Sequence, residues 1–466
     1  MKFNYTLLFI SVILLTSCGV DRRDEYIARN ASKHWMEEVM LEHYLWYADI
    51  PESEKLNYFA QPETFFPKLL SSKDGKNGNP YSWMEKLNSD EETPTTRSTA
   101  TVGYGFEVSY LSSQINRGEL YARVLYTAKN SPAAEAGLTR GNWIIEINGK
   151  PITDKNRSLL TSGSGCTLSI GHLNEDTTPE ITGTITLPAA RSVINNPVYY
   201  YNVYERGDKT IGYLVYNSFV SGEGEEDTSY LTELVNISNA FKAANVNEFV
   251  LDLRYNLGGE LNKPVPFLCS MLAPASTIGQ KMGYIEYNDK NTAKNWELDF
   301  TEESLRGGSN LNLQRVFVLT WQYTASASEA VINFLEPYTD VIVIGTNTVG
   351  KNVGSEEKRS EEYALALHPI VCQLYNADHF GEYQNGFTPK YPVDESQYIQ
   401  MLPLGNEKEI LLSTALSLID GTYQSSTDEE GEEEEQSETR SLFKKGLTNE
   451  GSSLEQRAFP SVMIIR

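Results

Sequence analysis

The feature that most constrains the fold is an alternation of strand-like and helix-like runs that begins at about residue 205. "TIGYLVYNSF" and "EFVLDLRYNLGGE" have the composition of strands and enclose the helical pattern "DTSYLTELVNISNAFKAANV"; "RVFVLTW" and "DVIVIG" enclose "SASEAVINFLE" in the same way. Strands separated by helices of this length form βαβ units with parallel strands and right-handed crossovers. The sequence therefore predicts an α/β domain, with bounds at residues 191–420.

Residues 24–95 have a different pattern, with aromatic and apolar residues at helical spacing in "HWMEEVMLEHYLWYADI". This spacing predicts an N-terminal helical domain with an amphipathic helix. Its apolar face contains Met36, Val39, Met40, His43 and Tyr47. We therefore expect His43 to be packed against the protein and His34 to face solvent.

Residues 96–190 are predicted to be rich in β structure. Short runs at Leu120–Leu125, Trp143–Ile147 and Ile181–Leu187 are typical of strands. Between them, "NSPAAEAGLTRGNWIIEINGKPI" predicts a short helix after Ser131 and a hairpin at Asn148-Gly149. This region resembles a PDZ domain.

The resemblance assigns a role to the stretch Gly103-Tyr104-Gly105-Phe106, which is similar to the carboxylate-binding loop of PDZ domains. There, consecutive backbone N–H groups receive the C-terminal carboxylate of a peptide that adds as a strand. The implied partners are proteins or peptides with free C-terminal ends.

The first 18 residues read as a processing signal. Lys2 precedes an apolar run, Leu7–Leu15, that is too short to span a bilayer. The run meets Leu15-Thr16-Ser17-Cys18, which resembles the lipobox of bacterial lipoproteins. The resemblance implies lipidation at Cys18 and attachment to a membrane of the bacterial cell envelope, facing the periplasm or the outer membrane. The alternative is an ordinary secretory signal with an incidental cysteine.

Charge and cysteine usage exclude several classes of function. The formal net charge of −24 argues against nucleic-acid binding, because phosphates would be repelled. Cys166, Cys269 and Cys372 are far apart and odd in number, so we expect buried free thiols and no disulfide framework. The histidines lack metal-ligand spacing, and no metal or other cofactor is implied.

The C-terminal region, 421–466, is predicted to be an acidic linker and tail. Eight acids fall among the eleven residues 428–438, and such a block repels itself. Apolar residues return at Phe459–Ile465, which could dock as a strand.

The stretch "TASASEA" (324–330) permits two interpretations. Ser326-x-x-Glu329 fits a capping box at the start of an apolar helix, which is a purely structural role. However, "TASASEA", "VLDLRYNLGG" and "TNTVGK" together, in this order, resemble the C-terminal processing peptidases, also called tail-specific proteases. These are serine peptidases with a Ser/Lys dyad, an embedded PDZ domain and a ClpP/crotonase-like ββα catalytic domain. The 25-residue interval between Ser326 and Lys351 matches that family.

The resemblance implies a site residue by residue. Ser326 is the nucleophile and Lys351 the general base, while backbone amides of Gly258, Gly259 and Ala327 form the oxyanion hole. Glu329 and Thr348 have supporting roles.

Lys351 has the most demanding role. A free lysine has a pKa of about 10.4, so holding the amine neutral at pH 7 costs roughly 4.6 kcal/mol. We expect a dry pocket without a nearby carboxylate, with Val349 and Val353 contributing to it. The alternative is that Lys351 is an ordinary surface lysine exposed to solvent.

The chain also departs from the family pattern. Pro337 replaces an aspartate, Lys390 replaces a second aspartate, and Ser355 replaces a glutamine that orients the lysine. A charged Glu356 beside Lys351 would raise the lysine pKa and oppose catalysis. The predicted function is thus a serine endopeptidase working through an acyl-enzyme. The alternative is a catalytically inert or latent ligand-binding protein on the same scaffold.

Overall fold

The computed structural model describes residues 23–87, 100–113, 118–174, 177–224, 226–398, 400–424 and 447–455. The predicted lipidation site Cys18, the acidic run 428–438 and the predicted strand Phe459–Ile465 lie outside the described residues. Within the described residues, no helix combines the length and apolar character that a bilayer-spanning segment needs.

The N-terminal unit contains one long helix, a short helical turn and one strand. These are α1 (Arg23–His43), α2 (Pro62–Phe65) and β1 (Trp83–Lys86). Met36 and Met40 are fully buried, and the side chain of His34 is 55% exposed, as the helical spacing predicts. The prediction was wrong at Tyr47, because α1 ends at His43 and Tyr47 lies in a separate 3₁₀ turn.

The second unit is the predicted β-rich one. Its elements are β2 (Ala100–Gly103), β3 (Phe106–Ser113), β4 (Leu120–Thr127), α3 (Pro132–Glu135), β5 (Trp143–Ile147), β6 (Lys150–Pro151), β7 (Cys166–Leu173), β8 (Pro179–Leu187) and β9 (Arg191–Ile194). β3, β4, β5, β7 and β8 form an antiparallel sheet in that order, and β2 pairs with β9. Ser131 caps α3 by accepting the N–H of Ala134, as expected for a serine before a short helix.

The third unit contains the two predicted βαβ units and several elements that the sequence analysis did not assign. Its elements are β10 (Val198–Arg206), β11 (Lys209–Tyr216), α4 (Ser229–Ala243), β12 (Glu248–Asp252), α5 (Pro264–Leu272), β13 (Lys281–Tyr287), β14 (Trp296–Asp299), α6 (Glu302–Leu305), β15 (Arg315–Thr320), α7 (Ala327–Leu335), β16 (Asp340–Gly345), β17 (Val353–Ser355), β18 (Lys358–Ser360), β19 (Leu365–His368), β20 (Ile370–Asn376), β21 (Tyr391–Pro392) and α8 (Ile410–Asp420). A last strand, β22 (Leu447–Ser452), follows the acidic region.

The central sheet has the strand order β10-β11-β12-β15-β16-β21. β11, β12, β15 and β16 are parallel, which confirms the prediction from the alternating pattern. Both faces of this sheet are buried: Phe249 and Leu251 of β12 join the core with α4, α5 and α7, whereas Val250 joins the core beneath α8. Burial on both faces explains why these strands read as continuous apolar runs.

Two smaller sheets flank the central one. β14, β13, β20 and β17 form a four-stranded antiparallel sheet against α7, and β1, β19 and β18 form a three-stranded sheet. β1 belongs to the N-terminal segment that was predicted to be helical, yet it pairs with β19 from Trp83 to Lys86. The N-terminal segment is therefore joined to the third unit by backbone hydrogen bonds.

Helix α5 was not predicted in the sequence analysis. Pro264 occupies the first turn, where the missing N–H has no intrahelical acceptor to lose. All nine residues of α5 are buried, so tertiary packing overrides the weak local propensity.

Candidate active site

Ser326 lies at the entrance of α7, in a turn that follows β15. Its backbone has φ 62° and ψ −117°, a conformation that costs a non-glycine residue of order 1–3 kcal/mol. The side chain is fully buried, and Ser326 forms the predicted capping box with Glu329, although its Oγ makes no full hydrogen bond among the described residues. Strain and an unpartnered buried hydroxyl are unusual for a purely structural cap.

Glu329, one turn into α7, anchors that serine. Its Oε2 accepts the backbone N–H of Ser326 at 2.8 Å and the backbone N–H of Lys351 at 2.8 Å. Its Oε1 accepts the N–H of Gly350 at 2.6 Å and the hydroxyl of Thr348 at 2.5 Å. One carboxylate therefore receives donors from the start of α7 and from the turn that precedes β17.

This arrangement brings the two predicted catalytic residues together. Because the same oxygen of Glu329 accepts both amides, the backbone nitrogens of Ser326 and Lys351 lie no farther apart than twice 2.8 Å. The N–H of Val349 donates to the carbonyl of Thr324 at 2.9 Å, a second link between the two segments. A 25-residue separation in sequence is thus closed by two short backbone segments that run side by side.

The environment of Lys351 is dry. The residue is 2% exposed, and its Nζ lies 5.4 Å from the ring centroid of Tyr81. Burial lowers the pKa of Lys351 to about 8, although the carboxylates of Asp74 and Glu329 act in the opposite direction. The expectation of a pocket without a nearby carboxylate was therefore wrong, and desolvation outweighs the attraction of both acids.

The N-terminal unit supplies one wall of this pocket. Asp74 accepts the backbone N–H groups of Tyr81 and Ser82, at 2.8 and 3.0 Å, and the hydroxyl of Tyr44 at 2.8 Å. Nearby, Lys76 donates to the carbonyl of Val349, next to the lysine turn. The sequence "SSKDGKNGNPYSW" indicates only a loop. It does not predict the contact with Val349, which lies some 270 positions later in the chain.

The glycine turn after β12 packs directly on the serine. A Cβ at Gly258 would lie 2.7 Å from the Cβ of Ser326, so no side chain fits there. The N–H of Gly258 donates to Asn256 Oδ1 at 2.8 Å and is already used. In contrast, the N–H groups of Gly259 and Ala327 have no acceptor among the described residues. Two of the three predicted oxyanion donors are thus available.

Asn256 was not identified from the sequence. Besides holding the Gly258 amide, its backbone carbonyl accepts the hydroxyl of Ser328 at 3.2 Å and the N–H of Ala325 at 3.2 Å. Its amide group donates to the carbonyl of Tyr216 at 2.8 Å. Asn256 therefore fixes the glycine turn through its side chain and contacts the start of α7 through its backbone carbonyl.

The structure also shows the surroundings of Ser355, which departs from the family pattern, and of its neighbour Glu356. Ser355 is fully buried at the end of β17. Glu356 accepts the hydroxyl of Tyr287 at 2.5 Å and pairs with Lys358 at 2.6 Å. It does not contribute to the pKa of Lys351, whose shift comes from burial, Asp74 and Glu329. The expected conflict between Glu356 and the lysine is therefore absent.

The predicted carboxylate-binding loop connects β2 to β3. The N–H of Tyr104 donates to Thr161 at 3.3 Å, and the ring is buried. Gly103, Gly105 and Phe106 line a cavity of about 200 Å³. A Cβ at Gly105 would lie 2.4 Å from the Cβ of Ser131, and the residue has φ 78°, so glycine is required here.

A buried ionic cluster joins the β-rich unit to the third unit. Arg140, from the β-rich unit, donates to Glu395 at 2.7 Å, and Arg254 contacts Asp252, Glu395 and Glu409, each at 2.7 Å. All five side chains are at most 5% exposed. The two arginines outweigh the effect of burial and lower the pKa of Glu395 to about 2.

Within the described residues, one group of metal-ligand types converges, formed by Glu85, Glu357 and His368. His368 Nε2 already lies 3.1 Å from Glu85, and Glu357 pairs with Arg359 at 3.0 Å. Each of these three side chains therefore already has a protein partner.

The chain combines three structural units with a buried serine at a helix entrance. Comparison with family models assigns each of these units. Residues 210–393 match peptidase family S41, residues 31–83 match the peptidase S41 N-terminal domain, and residues 123–159 match a PDZ domain.

Individual relatives lead to the same family. A putative S41 protease from Bacteroides fragilis has 38% sequence identity and a TM-score of 0.75, covering 84% of this chain and 98% of that one. The carboxy-terminal-processing protease of Bartonella bacilliformis is 27% identical over 53% of this chain and 51% of its own length. The carboxy-terminal processing protease CtpA of Bacillus subtilis is 24% identical over 71% and 64%. The chain belongs to peptidase family S41, and it spans half to two thirds of these two curated relatives.

Proposed function

We propose that the protein is a serine endopeptidase that uses Ser326 as nucleophile and Lys351 as general base. The observation that carries the proposal is the shared anchor at Glu329, which holds the backbone of an unpartnered, strained serine next to that of a desolvated lysine. A serine hydroxyl needs a base to become nucleophilic, and a lysine serves as that base only when it is neutral.

The reaction proceeds in two steps. The Oγ of Ser326 bonds to the carbonyl carbon of the scissile peptide while its proton passes to the Nζ of Lys351. The carbon–nitrogen bond then breaks, and the departing amine takes that proton from Lys351, which leaves an acyl-enzyme. Water next attacks the ester, giving its proton to Lys351, and the carboxylic acid product leaves as the proton returns to Ser326 Oγ.

Backbone amides stabilise the oxyanion that forms in each step. The N–H groups of Gly259 and Ala327 are the donors with no competing acceptor, and the N-terminus of α7 adds a favourable dipole. Glu329 and Thr348 position the serine and lysine turns without touching substrate.

The PDZ domain selects the substrate in this proposal. A protein with a free C-terminal end adds as a strand to β3 and places its carboxylate in the cavity beside Gly103 and Gly105. With Cys18 lipidated, the enzyme is anchored to a membrane of the bacterial cell envelope.

The test compares Ser326→Ala with Ser328→Ala, since both hydroxyls are buried at the start of α7. With β-casein as an unstructured substrate, Ser326→Ala should lower turnover by at least about 10³-fold. Ser328→Ala should keep at least roughly a tenth of the activity, because it removes only a hydrogen bond to Asn256. Labelling by a fluorophosphonate probe should follow turnover.

Retained cleavage in Ser326→Ala would refute the assignment of the nucleophile. The wild-type chain could also show neither cleavage nor labelling under conditions that expose β3 of the PDZ domain to peptide. That result would favour an inert ligand-binding protein.

A further inference from the structure

The edge of β3 is already occupied by this chain. β3 pairs with β4 on one side and with β22, from the C-terminal region, on the other. The β22 strand is antiparallel: Leu447 lies opposite Ser113, and Ser452 lies opposite Ser109. Following the chain from 447 to 452 therefore leads along β3 toward the loop 103–106. A peptide whose C-terminal carboxylate enters that loop must run in the same direction along the same edge.

The pairing continues just beyond the strand. The N–H of Ser453 donates to the carbonyl of Val108 at 2.9 Å, and the N–H of Val108 donates to the hydroxyl of Ser453 at 2.9 Å. The hydroxyl of Ser452 also donates to that carbonyl, at 2.7 Å. An incoming peptide cannot form a ladder at Val108 while these bonds exist.

The segment then turns toward the catalytic unit. Leu454 is 1% exposed and belongs to the core cluster that includes Trp321 and Tyr323. Glu455 accepts the hydroxyl of Tyr323 at 2.5 Å. Tyr323 lies three residues before Ser326, so residues 447–455 link the PDZ edge to the turn that carries the nucleophile.

Within the described residues, the segment borders the cavity at the carboxylate loop without filling it. Ser453 lines the same cavity of about 200 Å³ as Gly103, Gly105 and Phe106, and the chain bends away there into Leu454. The contacts of the segment with the PDZ unit are thus those of a strand without a terminal carboxylate. A peptide with a free C-terminus would make an additional interaction that this segment cannot make.

We propose that Leu447–Glu455 is a resident internal ligand of the PDZ domain, which a C-terminal peptide segment must displace from β3 before the catalytic unit receives substrate. The proposal rests on the proposed function for its consequence, though the competition for β3 is a separate claim. A tethered ligand acts at an effective concentration in the millimolar range, so weak contacts are enough to keep the edge closed. Displacement also removes the contact with Tyr323 beside the nucleophile turn.

The first experiment measures binding and needs no catalysis. A fluorescein-labelled peptide of residues 447–455 is titrated into full-length wild type, Leu454→Asp and Ser453→Pro, followed by fluorescence anisotropy. Leu454→Asp places a charge in an apolar cluster, and Ser453→Pro removes the N–H that Val108 accepts. Both should bind the peptide at least ten-fold more tightly than wild type does. Thr448→Ala, an exposed position on the same strand, should behave as wild type.

A second variant leaves the docked segment unchanged. A site for a sequence-specific protease is inserted between Glu433 and Glu434, and the purified full-length chain is tested before and after cutting. Cutting abolishes the tether, so the affinity for the labelled peptide should rise at least ten-fold. Equal affinity before and after cutting, together with equal affinity of the point variants, would overturn the proposal and make β22 a permanent sheet strand.

Activity then separates this proposal from the proposed function. Cleavage of β-casein should rise at least five-fold in Leu454→Asp and after cutting, and excess unlabelled peptide 447–455 should reverse the increase. Increased peptide binding without any cleavage that depends on Ser326 would refute the peptidase while supporting the internal ligand. Cleavage that depends on Ser326 and is unchanged by releasing the segment would refute its inhibitory role.

Discussion

Glu329 and Glu395 are both buried almost completely, yet their surroundings shift their pKa values in opposite directions. Glu329 receives three backbone N–H groups and one hydroxyl, and burial still raises its pKa above the usual value. Glu395 receives Arg140 and Arg254, and these two cations lower its pKa to about 2. Full positive charges compensate a buried carboxylate, whereas dipoles compensate it only in part.

The difference corresponds to what each site does. The Glu395 cluster joins the PDZ domain to the catalytic unit with fixed charges and contains no unpartnered nucleophile. The Glu329 site uses the dipoles of N–H and hydroxyl groups to hold two turns, and burial keeps the pKa of Lys351 low despite the Glu329 carboxylate.

The largest expected effect on stability comes from removing an arginine of the buried ionic cluster. Arg254→Met leaves Asp252, Glu395 and Glu409 with one fewer cation, and should lower the free energy of unfolding by roughly 3–5 kcal/mol at pH 7. Urea denaturation measures this. Arg315→Met is the matched control, because its pair with Glu248 is 35% exposed at the arginine and should cost less than about 1 kcal/mol. Equal losses of unfolding free energy in Arg254→Met and Arg315→Met would contradict the distinction between buried and exposed ion pairs.

Replacing Lys351 should instead raise the free energy of unfolding. Because the pKa of Lys351 falls to about 8 on folding, the unfolded chain binds its proton more tightly, and the charged form destabilises the fold below pH 8. Lys351→Met should therefore increase the free energy of unfolding by up to about 3 kcal/mol at pH 7, and by less as the pH rises from 8 to 10. The same experiments on Lys281→Met, a surface lysine paired with Asp299, should show no gain. A loss of stability in Lys351→Met would contradict the account.

Replacing Glu329 should have an intermediate effect on the free energy of unfolding. In Glu329→Gln one oxygen becomes an NH₂ group, which faces two donors and accepts neither, at a cost of roughly 1–3 kcal/mol in unfolding free energy. Fluorophosphonate labelling of Ser326 should fall as well, because the serine turn loses its anchor. Glu356→Gln is the control: its carboxylate pairs with Tyr287 and Lys358 and does not hold the backbone of Ser326 or Lys351, so labelling should persist. Labelling that survives in Glu329→Gln would show that the anchor is dispensable.

The smallest effect concerns pH. Only the neutral amine accepts a proton from Ser326, so the rate at saturating substrate should rise through pH 8, with a gain of about five-fold between pH 7 and 8. The Glu356→Gln variant should give the same midpoint. A profile that is flat between pH 6 and 9 would be inconsistent with lysine as the base.

Local pattern was sufficient to predict the central sheet, and family resemblance predicted Ser326 and Lys351 as a pair whose backbones lie side by side. The βαβ units follow from apolar periodicity, and the Ser326 to Lys351 interval follows from family resemblance. The sequence could not show that Asp74 and Tyr81 form a wall beside Lys351, since those contacts join segments far apart in the chain. Nor could it show that Asn256 takes the Gly258 amide, a detail of one hydrogen bond.

The tail illustrates the same limit. No strand was predicted at Leu447–Ser452, a polar stretch with one buried leucine, yet this segment pairs with β3. Backbone groups at an unpaired sheet edge accept almost any extended segment, so side-chain hydropathy predicts such a strand poorly.

The central claim is that folding desolvates the amine of Lys351 enough for it to lose its proton near neutral pH. Carbon-13 NMR of a Ser326→Ala chain labelled at lysine Cε tests this directly, with Lys351→Met in the same background to assign the signal. The account predicts a titration midpoint near pH 8, well separated from the other lysines. A midpoint above pH 10 would mean that the amine is charged at neutral pH and cannot serve as the base.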